Sequence, residues 1–130
     1  MKIERFEDIE AWKEARDIVN RVYRVCSVNG FRKDYSLADQ IKRAAISIMA
    51  NIAEGYERGG RKEFVQFLSV AKGSVGEVRS HLYVALDQAY CTKGVFDELT
   101  ALAIEISRMI SGLMSYLISS KIRGAKNRYS

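Results

Sequence analysis

The chain contains no proline in 130 residues, where average usage of about 5% would supply roughly six or seven. Proline breaks a helix interior by removing an N–H donor and clashing with the preceding turn, so its absence favours long uninterrupted helices over a fold with many turns. The apolar pattern agrees. Turn signals at Asn29-Gly30, Gly59-Gly60 and Lys93-Gly94 cut the chain into four periodic blocks, with Gly55 an alternative end to the second. In the first block Ile9, Trp12, Ala15, Val19, Val22 and Cys26 step by three or four, which predicts one buried helical stripe. In the second, Ser36 followed by Asp39 offers an N-cap ahead of Leu37, Ile41, Ala44, Ile48 and Ile52. The third runs through Phe64, Phe67, Ala71, Val75, Val78, Leu82, Ala85 and Ala89, and the fourth through Leu99, Leu102, Ile106, Ile110, Leu113 and Leu117. Both keep close to the bundle repeat. Four helices joined by short links predict an all-α, antiparallel up-and-down four-helix bundle over residues 1–120, in one domain.

Composition sets the remaining bounds. Apolar residues at 48% and charged residues at 28% are globular proportions, and a chain of this length buries about two-thirds of its unfolded surface without staples. No apolar run approaches the ~20 residues of a membrane span, and the start, Met1 to Asp8, lacks the apolar stretch of a secretory signal. A cytoplasmic protein that does not enter a membrane is expected. The net charge of +5 comes from 21 basic and 16 acidic residues. Lys121, Arg123, Lys126 and Arg128 supply +4 of it in residues 121–130, a basic tail without an acid, leaving +1 for the rest. That asymmetry points to a polyanion partner such as RNA or DNA, or to a solvated terminus. Arg58, Arg61 and Lys62, at the entry to the third helix, are further candidate phosphate contacts.

Two surfaces exceed what a lone bundle needs. The second helix also carries Ala38, Ala45, Ile46, Met49, Ala50 and Ala53, which spread apolar character over more than half its circumference. Its polar residues Gln40, Arg43, Ser47, Asn51 and Glu54 fall within about 80°. This seam is either a register-fixing interface network or the lining of a ligand pocket. On the third helix Ser69, Gly73, Gly76 and Ser80 lie opposite the core stripe. Each glycine costs about 1 kcal/mol relative to alanine in a helix interior, and close approach of another backbone would compensate. Together these surfaces predict a homo-oligomer, its subunit number left open.

Catalytic chemistry is sparse. His81 is the one histidine, and two cysteines, Cys26 and Cys91, cannot complete a tetrahedral zinc site with it. No phosphate-binding loop accompanies the glycines at 55–60. The acids Glu7, Asp8, Asp97 and Glu98 sit at helix starts, where the dipole explains them. No enzyme, metal or cofactor is expected. Two functions are open: a self-associating bundle that binds RNA or DNA through basic loop and tail, and an oligomeric scaffold or ligand holder that uses the seam.

The run Gln40-Ile41-Lys42-Arg43-Ala44-Ala45-Ile46-Ser47-Ile48-Met49-Ala50-Asn51-Ile52-Ala53-Glu54-Gly55 resembles the signature of the bacterial 23S ribosomal RNA intervening-sequence proteins. Phe6 to Lys13, Lys62-Glu63-Phe64, Phe67-Leu68, Ala71-Lys72-Gly73-Ser74 and Glu77 agree with it, so the resemblance covers nearly the whole chain. It implies a left-handed antiparallel four-helix bundle assembled as a ring-like homo-oligomer, typically a pentamer. The family is named for reading frames inside ribosomal RNA genes, and related bundles act as nucleic-acid-binding accessories of reverse transcriptases. Met49 stands where the family pattern usually has proline, which removes a kink and lets the second helix run straight.

Overall fold

A computed structural model describes residues 3–119. A 3-10 turn at Phe6–Asp8 leads into α1 (Glu10–Cys26), a one-turn α2 (Asn29–Lys33), α3 (Tyr35–Glu57), α4 (Arg61–Asp87) and α5 (Lys93–Ser119), with no strand among the described residues. The four long helices match the four periodic blocks, while α2 forms where only a turn was signalled. Neighbours run antiparallel, because paired positions rise on one helix as they fall on the next. Gly55 of α3 meets Phe64 and Phe67 of α4, while Ser47 meets Ser74. Tyr83 of α4 meets Phe96 of α5, while Lys72 shares a groove with Ser111. Arg21 of α1 reaches Glu98 at 3.5 Å, while Ala11 lies beside Met109 and Leu113 of α5. The Lys42 ammonium of α3 sits 4.8 Å over the Tyr23 ring of α1. Each helix thus packs on its sequence neighbours, and α1 closes the ring on α5.

The core follows the stripes with local shifts. On α1 the buried row is Ala11, Ala15, Ile18, Val22 and Cys26, with Trp12 and Val19 half-buried at its edge. The expected stripe is rotated by about one residue, since α1 faces α3 and α5 together. Phe67 and Leu102 are likewise half-buried, and Leu68 and Ala103 take their places inside. The N-cap of α3 is Asp34 and not Ser36: its Oδ1 accepts the Leu37 N–H at 3.1 Å, while the Ser36 hydroxyl accepts from Gln40 Nε2. Thr92 Oγ1 accepts from the Val95 N–H at 3.1 Å, the bond of an N-cap at the start of α5. At the other end of the bundle Ile3 is buried, and its carbonyl accepts from the Tyr56 hydroxyl at 3.3 Å.

By length and composition α5 is the one described helix apolar enough to cross a membrane, a possibility the search for unbroken apolar runs passes over. In the bundle it buries one stripe, as the other long helices do, and leaves the rest of its surface outward. Phe96, Leu99, Ala103, Ile106, Ile110, Leu113 and Leu117 are buried, and Glu105 and Arg108 lie exposed at mid-helix.

The third stripe ends earlier than its apolar residues do. Helix α4 stops at Asp87, and Ala89 lies beyond it in the left-handed region at φ 60°. The Tyr90 N–H bonds the Ala85 carbonyl at 2.8 Å, closing the helix as a Schellman motif does, with alanine where glycine is usual. A side chain in this conformation costs roughly 1–2 kcal/mol. The substitution Ala89→Gly is expected to raise stability by about 1 kcal/mol in urea melts; a loss would mean the methyl group packs productively.

Candidate nucleic-acid interface

Of the polar residues of α3, Arg43 and Ser47 line a common groove with Tyr23 of α1, and Gln40, Asn51 and Glu54 do not. Gln40 donates to Ser36 at 3.1 Å, Arg43 pairs with Asp39 at 2.8 Å and Glu54 pairs with the C-cap Arg58 at 3.1 Å, all one turn away along the chain. Ser47 and Asn51 differ. Asn51 Nδ2 donates to the Ser47 carbonyl and hydroxyl at 2.8 and 2.9 Å, and the buried Ser74 hydroxyl of α4 donates to Ser47 Oγ at 2.9 Å. These three form a polar tie across the α3–α4 contact, which fixes the register of two helices that otherwise touch through interchangeable apolar groups.

Much of the broad apolar surface of α3 is used inside the chain. Ala38 and Ala45 are buried, because α3 is flanked by both α1 and α4. Met49 and Ala53 are half-buried, while Ala50 and Ile46 remain exposed, Ile46 at 41%. On the outward side of α4, Val70 is 53% exposed, and a Cβ added at Gly73 or Gly76 would meet nothing within 4 Å. No segment of the described chain approaches these glycines.

The cations of the α3–α4 link lie among acids. Arg58 pairs with Glu54 and stacks 5.0 Å over the Phe67 ring, Arg61 is half-buried, and Lys62 is exposed beside Glu63. With Glu54, Glu57 and Glu63 in the same stretch, three positive charges face three negative ones. Lys121, Arg123, Lys126 and Arg128 lie outside the described residues. Three other cations, Lys72, Arg79 and Arg108, meet in a groove between α4 and α5. The spacing of Lys72 and Arg79 places them on one helix face, but only the pairing of α4 with α5 brings Arg108 to them.

Neither cysteine is an activated nucleophile. His81, on α4, lies 3.4 Å from Glu77 of the same helix. Both cysteines are free, and no group of three potential metal ligands occurs among the described residues. Burial pushes the Cys26 thiol up to about 11, against the smaller opposing pull of the Lys42 charge, and burial raises the Cys91 thiol as well. Thiolate is the reactive form. At pH 8 a thiol reagent is therefore expected to modify the half-buried Cys91 first and Cys26 only with unfolding. A folded-state pKa above the unfolded one favours the fold while the thiol stays protonated, so this contribution fades as pH rises from about 9 towards 11. Rapid labelling of both thiols in the folded protein would contradict the burial.

Comparison with known proteins adds three findings. The family model described as 23S rRNA-intervening sequence protein matches residues 7–112. A crystal structure from Bacteroides thetaiotaomicron VPI-5482, of a protein with unknown function from the S23 ribosomal protein family, superposes with a TM-score of 0.75 at 20% identity. The match covers 81% of this chain and 95% of that one. At that identity the likeness is one of fold. No curated protein matches the chain.

Proposed function

Because the chain belongs to the 23S rRNA-intervening sequence protein family, we propose that it is a non-enzymatic, self-associating helical bundle whose basic surfaces bind RNA or DNA. One observation carries the reading: Ile46 and Ala50 on α3, and Val70 and Gly73 on α4, face outward, and among the described residues nothing covers them. Bare glycines inside a helix weaken it by about 1 kcal/mol each relative to alanine. A second copy laid against them recovers that loss through close backbone packing. Association also multiplies each modest cluster of cations, so a subunit with a weak patch gains avidity in the assembly. The ligand-holding alternative is less well supported, since Gln40, Arg43 and Glu54 already have partners on their own helix.

Light scattering and filter binding test the two halves separately. The protein is expected to run as a multiple of its 14.7 kDa chain mass, five being the number the resemblance implies. Ala50→Glu, which sets a charge in the exposed row, is expected to yield single chains. RNA retention should be strong at low salt and fall steeply as salt rises. A monomer at high concentration would end the assembly half of the proposal, and no retention at low salt would end the binding half.

A further inference from the structure

Lys72, Arg79, Ile104, Ser107, Arg108 and Ser111 line a groove of about 370 Å³ between α4 and α5. Lys72 and Arg79 are seven residues apart on α4, two turns or about 10 Å along the axis. Gly76 lies between them on the same face, and a Cβ there would meet nothing within 4 Å, so the wall stays low midway. Across the groove, Ser107 and Ser111 offer hydroxyl groups.

The charge in this groove is only partly compensated. Among the described residues no carboxylate lies within ion-pair distance of Lys72 or Arg79, and the Arg79 Nε is buried with no hydrogen-bond partner. Arg108 has a single long contact, to the exposed Glu105 at 3.7 Å. Buried N–H and O–H groups are nearly always satisfied, and a charged one left unpaired is especially unfavourable. The cations that line the groove therefore suit an acceptor that is anionic and extended over two turns. One turn beyond Arg79, Tyr83 is 54% exposed and packs edge-on against Phe96 at 4.9 Å. An exposed ring beside a basic groove suits an unstacked base following a phosphate backbone.

We infer that the α4–α5 groove binds the sugar-phosphate backbone of single-stranded nucleic acid, with Lys72, Arg79 and Arg108 on phosphates and Tyr83 stacking on a base. This rests on the nucleic-acid half of the function proposed above and gives it a location away from the α3–α4 link and the tail.

The test is fluorescence anisotropy of the full chain with labelled oligo-U and oligo-dT, titrated with salt. The variants are Arg79→Gln with Arg108→Gln, Tyr83→Leu and Tyr83→Phe, and as a control Lys13→Gln on the exposed face of α1, with light scattering and circular dichroism on each. Binding of either strand is expected, the double variant weakening it at least tenfold. Loss of two phosphate contacts should reduce the salt slope by about 1.4. Tyr83→Leu should weaken binding about fivefold at unchanged slope, Tyr83→Phe restoring it, and Lys13→Gln should change affinity less than twofold. If the wild type binds and the folded double variant binds equally well, the groove assignment falls and the functional proposal survives. If the wild type binds neither strand, the groove assignment and the binding half of the functional proposal fall together. A double variant that alters subunit number but not affinity would make the groove an interface, and preferential binding of poly-glutamate would assign it to an acidic protein; either overturns the inference.

Discussion

Phe31→Ala is expected to lower stability by about 3–5 kcal/mol, the largest effect of any single truncation outside the four long helices. Phe31 belongs to α2, yet its side chain has no exposed surface and its ring stacks on Tyr90 with centroids 5.3 Å apart. Tyr90 in turn donates its hydroxyl to Asp34 Oδ2 at 2.9 Å, and Asp34 caps α3 through its other oxygen. The link between α1 and α3 and the link between α4 and α5 are thus clamped together at one end of the bundle. Gly30 permits the approach, since a Cβ there would lie 3.0 Å from the Tyr90 ring. The Asp34 hydrogen bond holds the Tyr90 phenol above its ordinary range, so the clamp is intact below about pH 10 and weakens only beyond it. Urea denaturation at neutral pH measures the loss directly. A change below about 1 kcal/mol would show that the link is a surface turn and that the ring fills no core space.

The clamp also marks where a linear reading stops. Periodicity located the four long helices because each buries one face, and a face repeats every three or four residues. The same rule misplaced the centre of the α1 stripe, passing over Ile18, because a helix touching two neighbours buries the arc between them. Asn29-Gly30 was correctly a break, but nothing local announces that the next residue, Phe31, is among the most buried in the chain. That depends on Tyr90, which follows it by 59 positions. Ser36 was the plausible cap by residue type; Asp34 prevails because Tyr90 fixes its carboxylate where the Leu37 N–H points. Candidate site residues follow the same division. The seam on α3 was legible as a set, but its one tie to another helix runs through Ser74, which lies on the core side of α4 and was not singled out. Lys72, Arg79 and Arg108 are ordinary surface cations in sequence, and they become a cluster through the register of α4 against α5.

Gly55 shows how such register is enforced and gives the second large effect. As a residue in the sequence it reads as a helix terminator; in the structure it lies inside α3, two residues before the end, and is buried. A Cβ placed there would sit 2.7 Å from Phe67 Cβ, 2.9 Å from the Phe64 ring and 3.4 Å from the Phe64 carbonyl oxygen. Phe64 is fully buried, and an atom bonded directly to the backbone, such as Phe67 Cβ, moves only if α4 moves. Alanine in a helix is ordinarily better than glycine by about 1 kcal/mol, but overpacking a close contact costs about 1–3 kcal/mol. Here the clash exceeds the propensity gain, because the nearest atoms are not the flexible end of a side chain. Gly55→Ala is therefore expected to lower stability by about 1–2 kcal/mol, roughly 3–8 °C in melting temperature for a chain of this size. Gly112→Ala is the matched control, since a Cβ there would meet nothing within 4 Å; it should stabilise α5 by about 1 kcal/mol. Opposite signs in paired thermal melts would establish that the α3–α4 contact is closed by the missing methyl group. If both substitutions stabilise, the two helices are farther apart at Gly55 than the structure has them.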